Sequence, residues 1–356
     1  MKYSPLHSRH EALGAKMAPF AGWQMPIHYS SILDEHECVR KRVGVFDVSH
    51  MGVIDVIGPD SEKFFEALST NTIAEKAPGS ATYTVFCNEA GGAVDDLIIY
   101  RLDKERFFVV ANASNRQKDL EHMQKHAAGF DVRISPRFDD CGILAVQGPK
   151  AKELIEELVP NATSLKPMQV AEVQFEGEPL ILATTGYTGS GGVELIGKSA
   201  QILKLWDVLL ERGAPYGIQP IGLGARDTLR LEKGFALYGH ELTDAIGPME
   251  SVSRWTIKGE GRTFLGKEAL EAKKISVEIR YPAAVVVSEG IAREGFEVLD
   301  EGSVIGAVTS GSFSPTLKKA IALVLIGKKT REGDKLSIRI RNKVVDATVV
   351  NLPFIK

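Results

Sequence analysis

The sequence predicts an α+β protein that ends in a small all-β domain, either an antiparallel barrel or a sandwich. Three observations carry this prediction. Helical and strand patterns are mixed through most of the chain. From about Lys273 onward the helical patterns stop, and short β-branched runs punctuated by turns take over. Before that change, the run Gly91-Gly92-Ala93-Val94-Asp95-Asp96-Leu97-Ile98-Ile99-Tyr100 places two adjacent carboxylates inside an apolar strand.

The elements follow in order. Residues 60–68 read as a helix with an acidic first turn and apolar Phe64, Phe65 and Leu68. Residues 81–87, the turn Asn88-Glu89-Ala90-Gly91-Gly92 and the run to Tyr100 form a β-hairpin, with a further strand ending at Asn112. Residues 115–125 are helical, and 132–134 and 143–146 are strands. Gly148-Pro149 opens a helix, with proline at the permitted first position. Residues 168–175 and 180–185 pair around Glu176-Gly177-Glu178-Pro179. Residues 201–210 make an amphipathic helix with Leu203, Trp206, Leu209 and Leu210 inward, and 222–232 make another. The β-branched runs are 285–287, 304–308, 322–326, 336–340 and 344–350. A boundary near 270–280 divides the chain into residues 1–275 and 276–356.

The length suits roughly two or three domains of ~100–200 residues. A net charge of -3 and ordinary apolar content describe a soluble globular protein. No apolar run approaches the ~20 residues needed to span a bilayer, and the N-terminus lacks a signal-peptide core. A cytoplasmic protein without membrane association is therefore expected. Cys38, Cys87 and Cys141 have no metal spacing and read as buried small hydrophobes, so no metal site is expected. The sequons at Asn112 and Asn161 carry no meaning in a cytoplasmic chain. No basic patch with interleaved aromatics points to nucleic acid.

Side chains alternate along a strand, so Asp96 shares a face with Ile98 and Tyr100, while Asp95 shares the other with Leu97 and Ile99. A covered face would force one carboxylate to find a partner or shift its pKa, a predicament enriched at active sites. An edge strand would leave both wet. Two other motifs are set aside. Gly192–Ser199 satisfies GxxxxGK[ST], but its spacer alternates as a strand and Glu194 would face the phosphate with a negative charge. Gly222-Leu223-Gly224 lacks the third glycine of a dinucleotide fingerprint.

Several long stretches together resemble the glycine cleavage T-protein family, the tetrahydrofolate-dependent aminomethyltransferases. They are Ala21-Gly22-Trp23 with Met25-Pro26, the run Gly44–Gly52, the Gly91–Tyr100 run, Gly186-Tyr187-Thr188-Gly189, the run Gly222–Asp227 with Tyr238-Gly239, and Thr309–Leu317. The resemblance implies a three-lobed α+β folate-binding fold with a central channel, the first two lobes interleaved, and a C-terminal antiparallel β-barrel. It implies transfer of an aminomethyl carbon from the lipoyl arm of H protein to tetrahydrofolate, a co-substrate, releasing ammonia and forming 5,10-methylenetetrahydrofolate. The alternative within the superfamily is a tetrahydrofolate-dependent demethylase of a sulfonium or amine substrate.

The resemblance also assigns roles. Asp96 becomes the catalytic carboxylate that stabilises iminium-like charge and accepts an amine proton. Glu194 reads the guanidine-like edge of the pterin with two parallel acceptors. Arg226 contacts the folate with a geometry no lysine duplicates. Met51, Tyr83, Tyr100 and Asn112 line the folate channel, the aromatic rings and the thioether suiting stacking. Without the resemblance Glu194 reads as a surface glutamate and Arg226 as a partner of Asp227 or Glu232. The basic residues Lys328, Lys329, Arg331, Lys335, Arg339, Arg341 and Lys343 form a solvated face or a docking surface for an acidic carrier. The family's Gly-Tyr-Thr-Gly turn usually follows Arg-Thr and continues Glu-Asp-Gly-Phe-Glu, whereas here Thr184-Thr185 precede it and Ser190-Gly191-Gly192-Val193 lead to Glu194. Extra glycine predicts a looser turn there.

Overall fold

The computed structural model describes residues 1–160 and 162–356; Asn161, the second sequon asparagine, lies outside the described residues. The chain forms two compact units, each assembled from separated stretches: Met1–Glu66, Thr72–Thr84 and Leu97–Asp227 in the first, Ala67–Asn71, Val85–Asp96 and Thr228–Lys356 in the second. The division falls within the strands Ser80–Cys87 and Ala93–Arg101 and the helix Leu223–Glu232.

The first unit holds a six-stranded sheet in the order Val170–Phe175, Glu178–Ala183, Gly192–Gly197, Gly142–Gln147, Val43–Asp47, Ile218–Pro220. Its three inner apolar runs, Val43–Asp47, Gly142–Gln147 and Gly192–Gly197, are buried throughout. Leu182, Leu195 and Leu144 lie in one register row that enters the main core. Ala183, Glu194 and Ala145 form the next row, which alternation places on the opposite face. The run that matches a phosphate loop is thus a buried strand hydrogen-bonded on both sides, and its glycine pattern cradles nothing.

Against this sheet the helix Ser199–Arg212 buries Ile202, Leu205, Trp206 and Leu209. The expected stripe was one position off at two places. Spacing i, i+3, i+4, i+7 from Ile202 selects the buried set, and Leu203 and Leu210 sit at its margins, partly buried. Pro149 also differs from expectation, because the helix is Ala151–Leu158 with Lys150 as its cap. Glu176 and Gly177 take left-handed φ values of 52° and 80°, so the turn is two residues long and Pro179 already belongs to a strand.

A five-stranded sheet has the order Ser80–Cys87, Ala93–Arg101, Arg106–Ala111, Gly52–Ile57, Arg133–Pro136. Ala93–Arg101 is therefore an interior strand, which excludes the wet-edge reading: Asp95 is 0% and Asp96 8% exposed. A small sheet of Lys2–Tyr3, Trp23–His28 and Lys16–Phe20 completes the strands of this unit.

In the second unit the C-terminal strands close into a six-stranded antiparallel barrel, which resolves barrel against sandwich. Val285, Val298, Val324, Ile326, Ile338 and Val349 are among the residues that fill it. The barrel contains a strand, Glu297–Asp300, too short for the sequence pattern to reveal. The Thr309–Leu317 motif has a structural use: Glu232 accepts hydrogen bonds from Ser314 Oγ, Thr316 N and Thr316 Oγ1, and Arg230 donates to Ser310 Oγ and to Glu241. Around Gly92 the backbone is so close to Asp244 that a Cβ would stand 1.8 Å from its carbonyl oxygen. Of the basic C-terminal residues, Lys328, Arg339 and Lys343 are ion-paired with Asp300, Glu297 and Glu289, leaving less positive excess than the sequence suggested.

Candidate active site

Glu194 occupies the middle of the six-stranded sheet, flanked in register by Ala145 and Ala183. Two small neighbours leave space beside the carboxylate, which is 7% exposed and no surface glutamate. Its Oε2 accepts hydrogen bonds from Tyr100 Oη at 3.2 Å and Thr185 Oγ1 at 2.5 Å, and the two hydroxyls are 3.0 Å apart. Burial first, and the Glu194 charge second, push the Tyr100 phenol well above its usual pKa, so it remains a donor.

The Tyr100 ring is fully buried and stacked on Phe108, with centroids 4.5 Å apart and planes at 6°. One face expected to be open for stacking is therefore already covered. The phenol acts on this site through its hydroxyl, which orients Glu194.

Arg226 emerges from the helix Leu223–Glu232, and its contacts are with residues other than the Asp227 or Glu232 that the sequence offered. Its Nη2 lies 3.8 Å from Met51 Sδ, and its guanidinium carbon lies 4.7 Å from the centre of the Tyr187 ring. Burial lowers its pKa, opposed by the charge of Glu194. The helix is docked by glycines: a Cβ on Gly222 would meet Ile27 O at 2.2 Å, and one on Gly224 would meet Ile32 at 2.6 Å. Buried Glu35 accepts from Gly222 N at 2.8 Å and also from Tyr29 N and Ser30 N. Gly222-Leu223-Gly224 is thus a packing device that aims Arg226.

Met51 ends a run whose geometry is fixed by a buried chain of hydrogen bonds. Tyr29 Oη and His10 Nδ1 are 2.8 Å apart, His10 Nε2 and Asp47 Oδ2 are 2.8 Å apart, and Ser49 N donates to Asp47 Oδ1 at 2.9 Å. Burial would raise the Asp47 pKa, but the bonds from His10, Ser4 and Ser49 outweigh it and hold the carboxyl below its usual range. The register Gly52–Ala111 then sets half-buried Met51 beside half-buried Asn112 at the strand ends. Tyr83 is half-buried on the strand Ser80–Cys87, and buried Asp96 lies on Ala93–Arg101, four residues before Tyr100.

The glycine-rich turn before Glu194 is not loose. Arg40 Nη1 donates to Thr188 O at 2.6 Å and Ser190 Oγ at 2.7 Å, and Thr188 Oγ1 donates to Gln147 Oε1 at 2.8 Å. Gln147 Nε2 in turn donates to Thr185 O and Val193 O. A Cβ on Gly192, at φ 133°, would stand 2.2 Å from Val146 O, so that glycine is required by packing. Arg40 pins the turn from outside it. Nothing in the spacing of Arg40 or Gln147 announced these contacts, because each reaches the turn from a distant segment.

The cysteines supply no nucleophile: all three are buried, and burial pushes the thiols of Cys87 and Cys141 up to about 12 and about 11. Among the described residues no helix is long and apolar enough to cross a membrane.

Comparison with known proteins gives a consistent result. Residues 6–260 match the family model for the GCVT N-terminal domain, and residues 267–356 match that for the glycine cleavage T-protein C-terminal barrel domain. The aminomethyltransferase of Thermotoga neapolitana is 43% identical over 355 residues, covering 99% of this chain and 98% of that protein. The aminomethyltransferase of Bacillus subtilis is 42% identical over 361 residues, covering 100% and 99%. A crystal structure of glycine cleavage system aminomethyltransferase T from Bartonella henselae superposes with a TM-score of 0.91 at 33% identity, covering 99% of this chain and 98% of that one. The two-part architecture, the closed barrel and this whole-length similarity agree: the chain belongs to the glycine cleavage T-protein family of aminomethyltransferases.

Proposed function

We propose that this enzyme performs aminomethyl transfer with tetrahydrofolate as acceptor, taking the carbon from the lipoyl arm of an H-protein carrier and releasing ammonia. The observation that supports the folate reading best is Glu194. It is a buried carboxylate with both protein donors on one oxygen and an alanine on either side. A carboxylate has about four acceptor positions, two on each oxygen, so with two donors on Oε2 both positions on Oε1 stay open to a pair of N–H donors. The 2-amino pyrimidine edge of a pterin offers that pair. When bound, tetrahydrofolate supplies the nucleophilic nitrogens that take the one-carbon unit.

The remaining roles belong to the chain. Tyr100 and Thr185 hold Glu194 in one orientation, while Arg226 balances its charge and, with Met51 and Tyr187, offers a cationic and polarisable wall. Asn112 and Tyr83 add polar and aromatic contacts to the folate. Asp96 is the catalytic carboxylate: buried in an apolar strand, it stabilises positive charge developing at the transferred carbon and takes the amine proton. The similarity to the aminomethyltransferases of Thermotoga neapolitana and Bacillus subtilis favours aminomethyl transfer over the demethylase alternative.

The test is tetrahydrofolate-dependent ammonia release from aminomethyl-loaded H protein. Asp96→Asn should bind tetrahydrofolate as the unaltered enzyme does and lose roughly 10²–10⁴ in rate. Near-normal turnover by that variant would remove Asp96 from the mechanism.

A further inference from the structure

The helix Ile32–Lys41 buries Glu35, His36, Cys38 and Val39, so one side of it is held in the first unit. Two of its residues reach the separate elements that carry Arg226 and Tyr187. Glu35, with no exposed surface, accepts from Gly222 N at 2.8 Å, and Gly222 O accepts in turn from Arg226 N at 3.3 Å. Ile32 adds a steric stop, since a Cβ on Gly224 would stand 2.6 Å from it. The first turn of the Arg226 helix is therefore registered against Ile32 and Glu35.

Arg40 holds the other element. Its Nη1 makes charge-assisted hydrogen bonds to Thr188 O at 2.6 Å and Ser190 Oγ at 2.7 Å, both just after Tyr187. On the other flank of Tyr187, a Cβ on Gly186 would stand 2.0 Å from Gln147 Oε1, which also accepts from Thr188 Oγ1 at 2.8 Å. Tyr187 is thus fixed from both sides, and its ring receives the Arg226 guanidinium at 4.7 Å. Attraction between a cation and a ring needs a separation within ~6 Å of the centroid. Neither a glycine-rich turn nor a helix that begins Gly222-Leu223-Gly224 maintains such a separation unaided. Glu35 and Arg40 stand five residues apart, about 7.5 Å along the helix axis and about 140° around it. One rigid element therefore sets both ends of the contact.

We propose that the helix Ile32–Lys41 is the frame that sets the spacing of Arg226 and Tyr187, with Arg40 and Glu35 as positioning residues for tetrahydrofolate. Neither residue touches the ligand. Arg40 acts through Tyr187, and Glu35 acts through Arg226. This rests on the tetrahydrofolate reading of Glu194 and assigns the residues that keep the neighbouring wall in place.

A double-mutant cycle tests it, with equilibrium dialysis under reducing conditions giving the Kd for tetrahydrofolate and thermal unfolding giving Tm for the same proteins. Arg40→Met keeps the stem and loses the guanidinium, and the Kd should rise about tenfold, the effect of one charge-assisted hydrogen bond. In a Tyr187→Leu background the same substitution should change the Kd by less than about twofold, because the residue it positions is gone. Its loss in Tm should be the same in both backgrounds, which separates positioning from support of the fold. Glu35→Gln should show the same pattern against Arg226→Met. A tenfold loss that persists in the Tyr187→Leu background would make Arg40 a general support or a direct ligand contact and overturn the proposal. Unchanged binding by Arg40→Met would do the same. Ser190→Ala removes one of the two acceptors and should weaken binding about two- to threefold, only where Tyr187 is present; it carries the test if Arg40→Met does not fold. Failure of the unaltered enzyme to bind tetrahydrofolate, with Glu194→Gln behaving identically, would strike down the folate reading and this proposal with it, whereas the outcomes above strike this proposal alone.

Discussion

Tyr100→Phe separates two ways in which a buried tyrosine can serve a folate site. The ring is stacked on Phe108 and fully buried, so phenylalanine keeps its packing and any aromatic contact. Only the hydroxyl is lost, at 3.2 Å from Glu194 Oε2 and 3.0 Å from Thr185 Oγ1. A hydrogen bond to a charged group contributes about 1.5–3 kcal/mol, but Thr185 still donates to the same oxygen, so the lower end applies. About 1.5 kcal/mol corresponds to roughly a tenfold weaker Kd for tetrahydrofolate. Stability should fall by no more than about 1 kcal/mol, because no donor is left unpaired. Equilibrium dialysis gives the Kd and urea unfolding gives the stability. If the variant binds tetrahydrofolate as tightly as the unaltered enzyme, the hydroxyl does not orient Glu194 and the assignment from geometry is wrong. A loss matched by an equal loss of stability would point to packing instead.

Two further outcomes follow from buried charges. The His50 imidazole titrates near 4 in the folded chain and near 6.5 when unfolded, so the unfolded state binds the extra proton first. Its contribution is fully present above about pH 6.5 and is lost as pH falls toward 4, by up to roughly 3 kcal/mol; urea unfolding of His50→Phe should show that much less acid destabilisation, and parallel pH curves would refute the shift. The Arg230–Glu241 pair is 3.1 Å apart with both side chains 3% exposed, so Arg230→Met, which strands Glu241, should cost about 3–5 kcal/mol and lower Tm well beyond a surface change; a Tm within a degree or two of the unaltered enzyme would show the pair to be hydrated.

Much of the fold was legible because its signals are local. The hairpin around Gly91–Gly92, the helix Arg116–Lys125 and the β-rich C-terminus announce themselves through periodicity and turn residues. Closure of the barrel is not local. It depends on the pairing of Glu297–Asp300 with Lys335–Ile340, two segments whose contact no window of sequence contains. The same limit governs the site. Asp95 and Asp96 could be singled out because charges interrupt an apolar strand, and Glu194 only through the family resemblance, but Arg40 and Gln147 are ordinary polar residues until the chain brings them to one turn. The expectation of a loose glycine-rich turn failed for this reason. Glycine permits many conformations, and a guanidinium arriving from the helix Ile32–Lys41 selects one of them.

Several buried carboxylates of this chain commit both oxygens to the protein. Glu35 accepts from Tyr29 N and Ser30 N on Oε1 and from Gly222 N on Oε2. Glu232 accepts from Ser314 Oγ and Thr316 N on one oxygen and from Thr316 Oγ1 on the other. Glu250 is gripped on both oxygens by Arg280, and Asp47 is held on both by Ser49 and His10. Each of these binds one backbone segment to another and has both oxygens committed to the protein. Glu194 and Glu241 depart from this, since both donors of Glu194 meet Oε2, as do Arg230 Nη1 and Leu237 N at Glu241. Concentrating donors on one oxygen leaves a desolvated second oxygen without its own bonds, as at Glu241 Oε1. A carboxylate meant to receive a ligand gains orientation from such donors and keeps acceptor sites for the incoming N–H groups. Donor distribution alone therefore does not set Glu194 apart: Glu241 is paired with buried Arg230 at 3.1 Å, whereas Glu194 has an alanine on either side in the sheet, and that space supports the ligand-reading role proposed for it.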